Sequence, residues 1–105
     1  MAQVIWTEPA LSDLNEIAEY IALDNTVAAQ RLVKSVFSSV ERLEQFPESG
    51  RIPPELDDFR YREVIIGPCR VFYRYEQDKV YLVYVMRSER LLRKYLIDER
   101  ENKSS

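Results

Sequence analysis

The sequence contains no histidine and is poor in several other residues on which common catalytic sites depend. Without histidine, a Ser-His-Asp triad, a Cys-His dyad or a histidine proton relay cannot form. A zinc site would need more cysteine or histidine than the single Cys69. The two glycines, Gly50 and Gly67, lie in no phosphate-binding motif, so a nucleotide-binding loop is not expected. The sequence therefore predicts no cofactor and no metal.

Long apolar runs and an export signal are also missing. No apolar stretch approaches the roughly 20 residues that a membrane-spanning helix needs. The first ten residues lack the basic region and apolar block of an export signal. A lone cysteine cannot form an internal disulfide, which fits a reducing compartment. We therefore expect a cytoplasmic protein that makes no contact with a membrane.

Length and charge indicate one domain with an uneven distribution of charge. A chain of 105 residues has room for one core, which we place at residues 1–98, followed by a polar tail at residues 99–105. Residues 1–59 carry four Lys/Arg and eleven Asp/Glu, whereas residues 60–105 carry eleven and seven. The basic second half favours either a positive binding surface or an ordinary solvated sheet face, and charge alone leaves both open.

Hydrophobic periodicity predicts two helices after a short first strand at residues 3–6. Thr7 is a candidate N-cap, and apolar residues then recur at helical spacing up to about Asp24. Asn25 or Thr26 caps a second helix, which runs to about Phe46. The short connection between the two predicts a helical hairpin.

The second half of the chain has the composition of a strand meander. Residues 62–66, 70–76 and 79–86 are rich in Val, Ile, Tyr and Phe and are separated by short turns. Residues 88–97 return to helix-forming types. The order β-α-α-β-β-β with a short C-terminal helix predicts an α+β fold, in which the helical hairpin covers one face of an antiparallel sheet.

Alternation along the middle strand of the meander suggests a binding face. Arg70, Phe72 and Arg74 share the face opposite Val71 and Tyr73, and we expect the helices to leave that face open. Guanidinium groups that flank an aromatic ring suit phosphate and base contacts. The candidate contact residues of the whole second half are Arg62, Arg70, Phe72, Arg74, Arg87, Arg90 and Arg93.

A more ordinary interpretation of these arginines stays open. They can simply pair with the neighbouring carboxylates of Glu63, Glu76 and Glu89. Sequence spacing does not distinguish such ion pairs from a binding surface.

Three segments resemble the RelE/ParE superfamily of toxins. They are W-T-E-P-A-L-S-D-L (Trp6 to Leu14), R-L-x-x-F-P-x-x-G (Arg42 to Gly50) and Y-R-E-V-I-I-G-P-x-R-V-F-Y-R (Tyr61 to Arg74). The resemblance covers about residues 4–95 and implies a toxin that a cognate antitoxin of the ParD or RelB type holds inactive. RelE-like members cleave mRNA on the ribosome, and ParE-like members poison DNA gyrase, both without a cofactor.

The two branches of this superfamily assign different roles to the same residues. In the RNase branch, Arg70 and Arg90 match catalytic arginines and Tyr95 lies near a catalytic tyrosine, whereas Tyr61 and Glu63 stand where lysines are expected. The wording of the first two segments is closer to ParE. We therefore favour a gyrase-binding toxin, and the alternatives are a metal-independent nuclease or an inactive binding module. The oligomeric state is not predicted.

Overall fold

The computed structural model of the chain describes residues 1–56 and 58–103, with side chains described as far as Glu101. The elements in chain order are β1 (Gln3–Trp6), α1 (Glu8–Ala22), α2 (Thr26–Glu41) continued by a 3-10 turn (Arg42–Glu44), β2 (Tyr61–Ile66), β3 (Cys69–Glu76), β4 (Lys79–Arg87) and α3 (Lys94–Lys103). This is the α+β order predicted from the sequence. Within the described residues, no helix is both long and apolar enough to cross a membrane.

Both helices of the hairpin begin at the predicted caps. The Thr7 hydroxyl accepts a hydrogen bond from the Ala10 N–H at 3.3 Å, and the Asn25 side chain accepts one from the Ala28 N–H at 3.0 Å. These contacts satisfy N–H groups that the first turn leaves without a backbone partner. The buried residues of the two helices are Ala10, Leu14, Ala29, Leu32, Val36 and Val40. All of them except Ala29 pack in the core between the helices and the sheet.

The sheet is mixed, with the strand order β1-β4-β3-β2. The β2–β3 and β3–β4 pairs are antiparallel, as the meander prediction requires, but β1 pairs in parallel with β4. The prediction of a wholly antiparallel sheet is therefore corrected at one strand. Local patterns could not show this, because strand composition does not specify which neighbour a short first strand will choose.

Two hydrophobic cores lie on opposite faces of this sheet. The first core joins the helical hairpin to Val71, Tyr73, Leu82 and other residues of that face. The second core contains Phe72, Val83 and Met86 from the sheet, together with Leu56, Leu92 and Ile97 from the loop and the C-terminal region. The expectation that the second face stays open is wrong, because Leu56 and Tyr61, together with Leu92 and Ile97, pack over it.

The C-terminal helix begins and ends later than predicted. It spans Lys94–Lys103 instead of residues 88–97, so the expected domain boundary at residue 98 falls inside it. Arg100 donates to Asp13 of α1 at 2.7 Å and to the Val83 carbonyl at 3.1 Å, and Glu101 accepts from Tyr61 at 2.8 Å. The first part of the predicted polar tail therefore belongs to the fold, while residues 104–105 lie outside the described residues.

Candidate target-binding site

Arg70 belongs to a charged cluster next to the second core. We define this charged cluster as Arg51, Glu55, Glu63 and Arg70. The Arg70 side chain is only 6% exposed. The two terminal nitrogens donate to the two oxygens of Glu55 at 2.6 and 2.7 Å, and Nε donates to Glu63 Oε1 at 2.7 Å. This bidentate geometry is the strongest way in which a guanidinium binds a carboxylate.

The guanidinium of Arg70 has no hydrogen-bond donor left. Besides the three bonds above, Nη2 donates to Glu63 Oε2 at 3.1 Å and Nη1 donates to the Arg90 carbonyl at 3.1 Å. An arginine side chain carries five N–H groups, and all five are therefore used. A phosphate could bind Arg70 only if some of these bonds were broken.

The charges within this cluster compensate one another. Glu63 is fully buried and also accepts from Arg51 Nε at 3.1 Å, so two arginines face two glutamates. The hydrogen bond from Arg70 is the largest effect on Glu55, and it lowers the pKa of that carboxyl from 4.5 to about 2. Glu55 is therefore ionised at neutral pH.

Phe72 and Arg74 are not open to a target either, which corrects their predicted exposure. Phe72 is fully buried, and its ring meets that of Tyr84 edge-on with centroids 6.3 Å apart. Arg74 donates Nε to Glu101 at 2.8 Å, pairs with Glu76 and lies 4.4 Å from the ring centre of Tyr81. Neither stacking on a base nor free phosphate contact is available to them in this conformation.

The three ion pairs of the more ordinary interpretation are all present. Arg70 pairs with Glu63, Arg74 with Glu76, and Arg87 with Glu89 at 2.7 Å. Arg62 is likewise engaged, since its Nη1 donates to the carbonyls of Gly50 at 2.8 Å and Glu48 at 3.1 Å. That contact attaches the loop before β2 to the sheet.

The remaining predicted residues come together in residues 87–95, which we call the basic segment. Arg90, Arg93 and Lys94 are exposed and, in the part of the chain that the structure describes, form no ion pair. Leu91 and Tyr95 are also exposed, at 69% and 64%. Three free cations beside two exposed apolar side chains form a surface suited to an acidic partner with an apolar component.

Two hydrogen bonds from backbone N–H groups and one buried side chain hold the backbone of the basic segment in place. The Ser88 N–H donates to the Pro68 carbonyl at 2.7 Å, and the buried Leu92 side chain packs in the second core. The Leu92 N–H donates to Glu55 Oε2 at 3.0 Å. Sequence reasoning missed Glu55, because it lies in a proline-rich loop where no periodic pattern assigns a partner.

Of the three residues predicted for catalysis, which are Arg70, Arg90 and Tyr95, only two lie together at the surface. Arg90 and Tyr95 are both exposed in the basic segment, whereas Arg70 lies beneath it and contacts Arg90 only through a backbone carbonyl. Arg87 is half-buried and lies 5.7 Å from the ring centre of Tyr20 in α1. Among the described residues, no three His, Cys, Asp or Glu side chains are grouped as potential metal ligands.

A second concave surface, the helical groove, runs between α1 and α2. It has a volume of about 920 Å³. Much of its lining is small or apolar, with charged side chains also present; the apolar members are Ala18, Ala22, Val27, Ala29, Val33 and Phe37. Val27 and Phe37 remain 53% and 40% exposed, so apolar area is left unburied on this side of the hairpin.

Comparison with known proteins places this architecture in a family. Residues 4–92 match the family described as ParE toxin of type II toxin-antitoxin system, parDE. Toxin RelE2 of Caulobacter vibrioides is 35% identical over 92 residues, which cover 87% of this chain and all of that protein. The solved structure "Chromosomal ParDE TA system from P. aeruginosa" shares the fold, with a TM-score of 0.70 and 23% identity over 85% of this chain and 98% of that one. The chain therefore belongs to the ParE toxin family of type II toxin–antitoxin systems.

Proposed function

We propose that this toxin stops growth by binding DNA gyrase through the basic segment, without cleaving nucleic acid. The observation that carries the proposal is the saturation of Arg70 by Glu55, Glu63 and the Arg90 carbonyl. The likeness to ParE-like toxins suggests gyrase as the target.

A nuclease of the RelE type would need guanidinium groups that can approach the phosphate in the transition state. Arg70 would have to give up at least part of its bidentate bond to Glu55, whose side chain is only 18% exposed and would then lose its main counterion. The environment of Arg70 therefore favours a structural role over a catalytic one.

The exposed cations of the basic segment support binding. Arg90, Arg93 and Lys94 can meet acidic groups of the gyrase–DNA complex without first breaking an ion pair. Leu91 and Tyr95 add apolar contact area at the same place. A surface whose backbone is held by hydrogen bonds loses less conformational entropy on binding than a flexible tail would.

The second candidate is a metal-independent endoribonuclease. The similarity to a protein named Toxin RelE2 is the reason to consider it. In that case Arg90 would stabilise the phosphate while the RNA 2′-OH loses its proton and attacks the phosphorus. A 2′,3′-cyclic phosphate would form, the bond from phosphorus to the 5′-oxygen of the next nucleotide would break, and that oxygen would leave as a protonated 5′-OH. Tyr95 would lie near the reacting oxygens. The exposure of both side chains is the observation in favour of this candidate.

Induction of the toxin in cells separates the two candidates. We expect DNA breaks and the DNA-damage response within the first minutes, while transcripts mapped by primer extension stay intact. Transcript cleavage at codon positions before any DNA damage would instead establish the endoribonuclease.

We further propose that the helical groove receives an amphipathic helix of the cognate antitoxin. Family membership implies such a protein partner, and the apolar lining with Arg31, Lys34 and Glu41 among it suits a helix with one apolar face and a charged rim. Phe37→Asp should abolish co-purification with the antitoxin, whereas Ile65→Asp, an exposed apolar residue of β2, should leave it intact. Loss of self-association instead of antitoxin binding in Phe37→Asp would assign the groove to a second copy of the chain.

A further inference from the structure

We propose that Glu55 is a positioning residue, whose carboxylate holds the backbone of residues 90–92 so that Arg90 and Arg93 are presented to the target. The proposal rests on the proposed function in that it concerns the same basic segment. Glu55 itself does not need to contact the target.

One carboxylate and one guanidinium bind the segment at two points. Glu55 Oε2 accepts both from the Leu92 N–H at 3.0 Å and from Arg70 Nη1 at 2.6 Å. The same Nη1 donates to the Arg90 carbonyl at 3.1 Å. The Leu92 N–H and the Arg90 carbonyl are therefore both hydrogen-bonded to the Glu55–Arg70 ion pair.

These bonds matter because the backbone here is irregular. Residues 88–93 lie between β4 and α3 and belong to neither. The Arg90 N–H donates to the Arg87 carbonyl at 3.1 Å and the Arg93 carbonyl accepts from the Leu96 N–H at 3.0 Å, but no regular ladder provides partners for the Leu92 N–H and the Arg90 carbonyl. Backbone groups that are removed from water need a partner, and a bond to a charged group is stronger than a neutral one. The Leu92 side chain fixes the segment to the second core, and Glu55 fixes its path.

The chain offers a matched control in Arg51. This residue binds the same Glu63 as Arg70 does, yet its side chain is 58% exposed, and no hydrogen bond or ion pair among the described residues joins it to residues 90–92. Removal of Arg51 disturbs the charged cluster without releasing the segment. A general loss of ion pairing can therefore be separated from loss of positioning.

The test compares wild type, Glu55→Gln and Arg51→Gln as purified free toxins and on induction in cells. Glu55→Gln keeps the size of the side chain but removes its charge. We expect hydrogen exchange of the Leu92 amide to accelerate at least ~10-fold relative to the Val71 and Tyr73 amides of β3. Growth arrest should weaken in parallel, while antitoxin binding stays intact. Arg51→Gln should match wild type in all three measurements.

An unchanged Leu92 exchange rate in Glu55→Gln, or faster exchange with full growth arrest, would overturn the proposal. Glu55→Asp provides a second variant if the glutamine variant does not fold, because the shortened side chain keeps its charge but withdraws from Leu92. Failure of the gyrase proposal is recognised separately, since wild-type toxin would then arrest growth without inhibiting supercoiling. The exchange and growth results would still decide the role of Glu55.

Discussion

Arg70 and Arg90 carry the same guanidinium group in very different surroundings. The Arg70 side chain is nearly buried and bonded to two carboxylates, whereas the side chain of Arg90 is exposed and forms no ion pair in the described part of the chain. An exposed guanidinium exchanges water for a new anion at little cost. A buried one must first lose its partners, and each carboxylate left behind would lose its main counterion.

Substitution of Arg70 should therefore damage the fold before it reveals anything about chemistry. We expect Arg70→Ala to lower the free energy of unfolding by about 3–5 kcal/mol, measured by urea denaturation, because Glu63 would remain buried without its main partner. Arg51→Ala, which removes a largely exposed partner of the same carboxylate, should cost less than about 1 kcal/mol. Equal stability of wild type and Arg70→Ala would contradict the structural role of this cluster.

The stability that Glu55 contributes should depend on pH in a defined direction. Its pKa is about 2 in the folded protein against an ordinary value of 4.5, so the carboxylate stabilises the fold fully above pH 4.5 and loses this effect as the pH falls toward 2. The shift corresponds to roughly 3 kcal/mol at neutral pH. Urea denaturation of wild type and Glu55→Gln should show a stability difference at pH 6 that shrinks steadily toward pH 2.5. A difference that is independent of pH would argue against the ionised pair.

At the scale of elements, α3 and the loop before β2 convert an open sheet into one with two covered faces. Ile97 of α3 is almost fully buried against Phe72 and Met86. Arg100 links α3 to α1 through Asp13, and Glu101 links it to Arg74. The helix is thus fixed at several points along its length.

Truncation after Asp98 tests this anchoring. The shortened chain loses Arg100 and Glu101, and we expect its free energy of unfolding to fall by at least ~2 kcal/mol, since Asp13 and Arg74 each lose a charged partner. Asp98→Ala, a change at an exposed position of the same helix, should stay within about 0.5 kcal/mol of wild type. A truncated chain as stable as wild type would show that residues 99–105 are the dispensable tail expected from sequence.

Sequence patterns predicted the elements whose periodicity can be seen in the local sequence. The 3.6-residue repeat and the caps Thr7 and Asn25 identified α1 and α2, and strand alternation correctly separated Val71 and Tyr73 from Phe72. The cover of the second face was missed because α3 is mostly polar and the loop at residues 47–58 has no period. Only tertiary contacts reveal that these segments fold over Phe72.

The residues of the candidate site could be predicted from the sequence, but their exposure to solvent could not. Spacing identified the arginines and even the partners Glu63, Glu76 and Glu89, yet it could not decide which ion pairs would be buried. Glu55 is distant in sequence from both Arg70 and Leu92, so its bridging position follows from the fold alone. Long-range ion pairs of this kind leave no local signature.

At the scale of the whole molecule, the charges of the second half of the chain divide into a structural set and an exposed set. Arg70, Arg74 and Arg100 are paired with carboxylates, whereas Arg90, Arg93 and Lys94 of the basic segment are exposed and form no ion pair within the described residues. The protein can therefore carry a net charge of −3 and still present a positive surface to an acidic target.

A DNA supercoiling assay, in which the toxin is added to purified gyrase, tests the central claim most directly. We expect wild-type toxin to inhibit, and Arg90→Ala combined with Arg93→Ala to require at least ~10-fold more protein for half-inhibition. Arg42→Ala combined with Lys79→Ala removes the same charge from exposed positions outside the basic segment and should remain within about twofold of wild type. Undiminished inhibition by the Arg90/Arg93 variant, or no inhibition by wild-type toxin that still arrests growth, would contradict this function.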